Sequence, residues 1–221
     1  MPRSGTSMVT GLLGELGLWL GNTVPGGDRS NPRGFFEHAA LREQVVKQIL
    51  TRLGCDPLGV RKLPMLVNLP QVGGLRDRVE TLVRAEGYDG ASPWGFKDAK
   101  LTLLWPIWHS AFPDARWLIV SRPRDLVIRS CLKTGFMRQH SDRAEFWEKL
   151  CNEYDRRLAD LRKFVPSVMD IDASDLIRGD FDPLSQVAAR MGLTWNAGCL
   201  DGFIDPAYWG DRNPGSADIR P

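Results

Sequence analysis

Arg116-Trp117-Leu118-Ile119-Val120-Ser121-Arg122-Pro123-Arg124-Asp125-Leu126-Val127-Ile128-Arg129-Ser130 passes from a short apolar run into a turn and then a helix. Trp117 to Val120 contain no polar break, the pattern of a strand buried in a parallel sheet. Pro123 suits the first turn of a helix, where its missing N–H has no partner in any case. Asp125 favours the same positive end. Arg122 then stands at the carboxyl edge of the strand, where open α/β sheets bind ligands. Ser130 follows two helical turns later. Arg124 and Arg129 read as solvated or acid-paired helix residues.

A second element lies at the amino end. Pro2-Arg3-Ser4-Gly5-Thr6-Ser7 reads as an anion-binding loop, and Met8, Val9, Leu12, Leu13 and Leu16 follow at helical spacing. Gly5 lets the backbone approach a ligand, and the first amides of a helix have no partner within it. The hydroxyls of Ser4, Thr6 and Ser7 add donors, and Arg3 adds a fixed charge. The loop is not a Walker A motif, which needs a lysine after its second glycine. An ordinary helix cap at Ser4 or Thr6 is the plainer alternative.

Outward from these, the spacing predicts helices over about 5–18, 38–53, 72–86, 101–111, 142–164 and 183–191. Further strands are predicted at 94–97 and 168–171, and loops at 21–34 and 54–70. Strands alternating with helices predict an α/β fold, a parallel sheet covered on both faces, in a single domain over 1–221. The tail after about 205, rich in Gly, Pro, Asp and Asn, is predicted to be loosely ordered.

With 43% hydrophobic and 25% charged residues over 221 positions, wholesale disorder is excluded. A net charge of +2 gives no argument for nucleic acid or an anionic membrane as partner. Cys55, Cys131, Cys151 and Cys199 are widely spaced and form no metal-ligand grouping with His38, His109 or His140. They read as free, mostly buried thiols of a reducing compartment, and no apolar stretch is long enough to span a membrane. The expected location is cytoplasmic. Most of the eight tryptophans are expected in the core with their N–H satisfied. Arg156, Arg157, Arg162 and Lys163 are expected on a solvated helix face.

The amino-terminal loop and the Arg122/Ser130 pair together resemble the sulfotransferases that use 3′-phosphoadenosine 5′-phosphosulfate (PAPS), in their bacterial form. The likeness extends to Gly34-Phe-Phe-Glu37, Trp94-Gly-Phe-Lys-Asp98 and Val168-Met-Asp-Ile-Asp-Ala-Ser-Asp-Leu176. The resemblance implies a P-loop-like three-layer sandwich with a central parallel sheet flanked by helices. It implies that Arg3, Ser4, Gly5, Thr6 and Ser7 hold the 5′-phosphosulfate, and that Arg122 and Ser130 hold the 3′-phosphate. The donor would be PAPS, the product 3′-phosphoadenosine 5′-phosphate (PAP), and no metal is expected. In that family an apolar strand precedes the loop, whereas here only Met1 does. The expectation is that the natural chain starts earlier, with such a strand.

Sulfuryl transfer to a hydroxyl or amine needs a base. Glu37 is the first choice and Asp98 the second; Lys97 is a candidate contact for the sulfuryl oxygens. Phe35, Phe36, Trp94 and Phe96 could supply an apolar surround that raises a carboxyl. Glu37 could equally be an acid at a helix N-terminus, and Asp98 a helix cap or a salt-bridge partner of Lys97. His38 is a further candidate base, but it reads rather as a surface residue. The acceptor, a small molecule or glycan, is not legible, and neither is the oligomeric state. Two other functions stay open: a P-loop small-molecule kinase, and a non-catalytic, degenerate nucleotide-binding relative.

Overall fold

Two four-residue strands, β1 (Leu118–Ser121) and β2 (Met169–Asp172), pair in parallel, with Leu118 opposite Met169 and Ser121 opposite Asp172. The computed structural model describes residues 1–26, 31, 33–200 and 202–204. The tail after 205, for which loose order was expected, lies outside them. The fold is mixed α/β, and among the described residues the sheet has these two strands alone.

Helices surround the pair. They are α1 (Thr6–Glu15), α2 (Ala39–Leu41) running through a π-helical turn (Arg42–Val46) into α3 (Lys47–Arg52), α4 (Leu75–Ala85) and α5 (Leu101–Ala111). After β1 come α6 (Arg124–Lys133), the short α7 (Gly135–Arg138) and the long α8 (Ala144–Phe164). After β2 come α9 (Ala173–Ile177) and α10 (Asp182–Met191). The helices at 5–18, 38–53, 72–86, 101–111, 142–164 and 183–191 are thus present, shorter by one to three residues at most ends. No helix among the described residues is long and apolar enough to cross a membrane.

The expected strand at 94–97 is a correction. That segment is extended, but its pairing is one isolated parallel bridge from Trp94 to Trp19. A groove of about 520 Å³ separates it from β1, and a ladder cannot form across that gap. Among the described residues the parallel sheet therefore keeps two of the three expected strands.

Burial explains the elements. Met8, Val9, Leu12 and Leu13 of α1, with Leu16 just past its end, pack with Val120, Met169, Ile171, Leu176 and Leu184 in one core. A larger core gathers Leu41, Val45, Leu50, Val79, Leu103, Trp147 and Tyr154, together with Met1. On α4, Leu75, Val79 and Val83 recur every fourth residue and face this core.

The loop over 54–70 is strapped to α8. Tyr154 donates its hydroxyl to the Gly59 carbonyl (3.0 Å), and Arg157 donates to the Pro64 carbonyl (2.8 Å) and to Glu153 (2.7 Å). Arg157 is therefore buried at 7% exposure, not on the solvated face expected for the basic cluster, because a carbonyl and a carboxylate satisfy it. The tryptophans are corrected too. Trp147 donates to the Ser141 carbonyl, but the buried indole N–H groups of Trp105, Trp108 and Trp117 have no hydrogen-bond partner among the described residues. Cys55, Cys131 and Cys151 are free thiols. Burial pushes the Cys131 thiol up to about 12, so it is inert as a nucleophile.

Arg157→Ala should lower the unfolding free energy by about 2 kcal/mol, since it strands a buried carbonyl. Arg156→Ala, one residue away and exposed, should change it by less than about 0.5 kcal/mol. Urea denaturation of both variants checks the contrast.

Candidate functional site

The loop turns at Gly5, whose φ of 92° only glycine adopts without strain, and α1 begins one residue later. Gly5, Thr6 and Ser7 face a cavity of about 760 Å³, at whose wall the amino end of α1 stands. Arg122 and Ser130 line the same cavity. So two segments more than a hundred residues apart in sequence line one cavity. Arg3 even reaches across, its Nε donating to Ser130 Oγ at 2.9 Å.

Ser4 departs from expectation. It is 3% exposed, and its hydroxyl donates to the Met1 carbonyl (2.9 Å). It closes the loop from inside and is not part of the cavity wall. Ser7 is in the wall: its hydroxyl lies 3.2 Å from the Phe35 carbonyl, 3.2 Å from Lys97 Nζ and 3.4 Å from Asn31 Nδ2.

Lys97 and Glu37 form the core of the site. Lys97 Nζ donates to the Phe35 carbonyl (2.8 Å) and to Glu37 Oε1 (3.1 Å). Arg42 Nε lies 2.9 Å from the other Glu37 oxygen. Burial pushes the Glu37 carboxyl up, but Lys97, Lys100 and Arg42 together hold it below its ordinary value. Burial also lowers the Lys97 ammonium, against the pull of Glu37.

Asp98 is placed differently. Its side chain is fully buried and paired with Lys100 Nζ at 2.7 Å, not with Lys97, and its Oδ1 accepts from the Lys100 amide. It shapes the turn into α5 and lines the groove beside β1, not the cavity. Burial raises its carboxyl, with Lys100 opposing. His38 is 1% exposed, not a surface residue, and lies against Glu86 (3.4 Å) and Trp19, away from the cavity. Arg124 and Arg129 pair with Asp155 and Asp125, as their helix positions predicted.

The cavity wall carries Arg3, Arg33, Arg42, Lys97, Lys100, Arg122, Arg129 and Lys133, against Glu37 as its one carboxylate among the described residues. Arg33, Arg42, Lys100 and Lys133 were not singled out in the sequence. Lys100 had a signal in its spacing from Asp98; Arg42 had none, because the π-helical turn sets its direction. The two non-glycine residues with left-handed backbone among those described, Arg3 (φ 66°) and Phe36 (φ 52°), both line this cavity. Such strain gathers where a site needs a particular geometry.

No family model matches the chain, and no curated protein or solved structure matches it.

Acid titration separates the two carboxylates. The Glu37 carboxyl is depressed in the fold, so its contribution to stability is present above the unfolded value of 4.5 and is lost as pH falls below it. The Asp98 carboxyl is raised, so folding gains as pH falls toward the unfolded value of 3.8. Glu37→Gln should flatten the loss of stability between about pH 6 and pH 3, and Asp98→Asn should steepen it. Thermal melts across that range check both signs.

Proposed function

We propose that the cavity binds PAPS and that the protein transfers its sulfuryl group to a hydroxyl or amine acceptor. The observation that carries this reading is the meeting of the amino-terminal loop with Arg122 and Ser130 in one strongly cationic cavity. A donor with several anionic groups fits a wall that carries Arg3, Arg122 and six further cations. The volume, about 760 Å³, lies within the range of small-ligand sites and leaves room for an acceptor. The same resemblance extends the two-stranded sheet to a P-loop-like three-layer sandwich. The resemblance points to a small-molecule or glycan acceptor; the cysteine usage points to a cytoplasmic location, and the net charge of +2 gives no argument for nucleic acid or membrane as partner.

Bound there, the donor would supply a sulfuryl group whose bond to the bridging oxygen of the 5′-phosphate breaks as the acceptor oxygen or nitrogen bonds to sulfur. The amides at the start of α1, with Arg3, stabilise the charge that gathers on that bridging oxygen. Arg122 and Ser130 hold the far phosphate and keep the donor in register. Lys97, beside Ser7 and Glu37, offers an ammonium to the transferring oxygens. Glu37 takes the acceptor proton. Its pairing with Lys97 and Arg42 makes it a weak base in the ligand-free arrangement, so the role requires Lys97 to turn toward the incoming anion. Arg3 must likewise leave Ser130 for the 5′ end.

PAP should raise the melting temperature, and ADP, lacking the 3′-phosphate, should do so less. Arg122→Ala should weaken PAP binding about 10–100-fold, the loss of one charge-assisted contact. Glu37→Gln should keep PAP binding while turnover with labelled PAPS falls about 100-fold or more. A shift with ADP alone would favour a kinase, and no shift with either would favour a non-catalytic relative.

A further inference from the structure

We propose that the apolar part of the cavity wall, built by the loop 56–62 and α7, is the acceptor subsite, and that it selects a small apolar alcohol or amine over a glycan. Its role as an acceptor subsite rests on the sulfuryl-transfer reading; the slot itself does not.

Two segments make the slot. The loop gives Leu58 and Val60 to the wall, and α7 gives Phe136 and Met137. Asp56 stiffens the loop, since its carboxylate accepts from the amides of Leu58, Val60 and Arg61, each at 2.9 Å. Tyr154 holds the Gly59 carbonyl from α8. Arg61 donates to the carbonyl of His140, just past α7, at 2.6 Å. The loop and α7 are thus tied together, and their apolar side chains line the same cavity.

The slot leads to Glu37. Phe136 meets Phe35 edge-on, with ring centroids 6.2 Å apart. Phe35 stands two residues before Glu37, and Lys97 holds the Phe35 carbonyl and the Glu37 carboxylate together. An apolar body lying against Leu58 and Phe136 can direct its hydroxyl or amine along Phe35 to that carboxylate.

Exposure marks the same place. Leu58 (41%) and Phe136 (38%) are two of the five large hydrophobic side chains exposed among the described residues. Both line the cavity, whereas Met65, Val67 and Phe164 do not. An apolar body covering Leu58 and Phe136 removes their surface from water. A sugar laid there would give up water from its hydroxyls against four side chains that offer no hydrogen bond. Thr134, at the start of α7, already donates its hydroxyl to the Ser130 carbonyl (2.8 Å).

The test uses 2-naphthol, an apolar alcohol, and methyl glucoside, a compact sugar, in equilibrium dialysis. The protein should bind 2-naphthol at least about tenfold more tightly than the sugar. Leu58→Ser and Phe136→Ser should each weaken 2-naphthol binding about five- to tenfold. Val67→Ser, exposed but away from the cavity, should leave it unchanged. All three variants should melt within about 2 °C of the unaltered chain, because the replaced side chains are partly in water already. With labelled PAPS, the KM for 2-naphthol should rise in the two cavity variants with little change in kcat. Equal 2-naphthol affinity in the unaltered chain and both cavity variants, or tighter binding of the sugar, overturns the proposal. PAP binding, measured in parallel, separates the two readings. Its absence overturns sulfuryl transfer and the acceptor role with it, whereas normal PAP binding beside an unchanged 2-naphthol affinity overturns the slot alone.

Discussion

The Lys97 ammonium is the constraint on which the site depends. An ammonium has three donors, and Lys97 directs them at Ser7 Oγ, the Phe35 carbonyl and Glu37 Oε1. With its side chain only 12% exposed, those acceptors stand in for the water it gives up. One side chain thereby fixes three pieces of chain: the start of α1, the segment 35–37 and the extended segment that bears Lys97 itself. For the Phe35 carbonyl and the Glu37 carboxylate both to reach one ammonium, the backbone must turn at Phe36. That is where the left-handed φ of 52° occurs. The strain and the ion pair are two sides of one arrangement.

The field of the cavity follows from where the acids sit. Lys100 pairs with Asp98, Arg129 with Asp125, and Arg42 with both Glu37 and Glu43. Of those four acids only Glu37 lines the cavity. The other three lie outside the cavity wall, so the wall is rich in cations while the whole chain stays near neutrality. A net charge of +2 is compatible with a strongly cationic pocket because the balance is local.

Much of this was legible in the sequence, for identifiable reasons. The apolar spacing of α1 and the Trp117–Val120 run announce their burial, because periodicity depends on residue type alone. The convergence of Arg3 and Ser130 was legible only through the resemblance of two short motifs. Ser4 was read as a donor to a ligand because hydroxyls are common in such loops, but the loop uses it to reach the Met1 carbonyl. Asp98 was read against its neighbour Lys97, whereas the turn into α5 brings Lys100 onto it. Arg157 lay in a charge run whose other members are exposed. Nothing local distinguishes it, because its partner, the Pro64 carbonyl, is 93 residues away. Trp94 to Lys97 has strand composition but lacks a ladder partner on the groove side among the described residues, and pairing is a property of neighbours, not of composition.

The loop also joins the two hydrophobic cores. Met1 packs in the larger core with Leu41, Leu103 and Tyr154, while Met8 and the rest of α1 pack in the other with β1 and β2. Pro2 to Ser7 is the bridge between them. Its amides keep their aim only while both cores hold their relative position. Thr6, Lys97 and Ala99 line both the cationic cavity and the groove beside β1, so the two spaces share a wall. Whatever occupies the groove therefore bears on the same side chains that line the cationic cavity. A ligand that contacts both the loop and Arg122 would tie the two cores together in turn, since Arg122 follows directly from β1. Stability of the core junction and the shape of the cationic cavity are linked here, because the same few residues serve both.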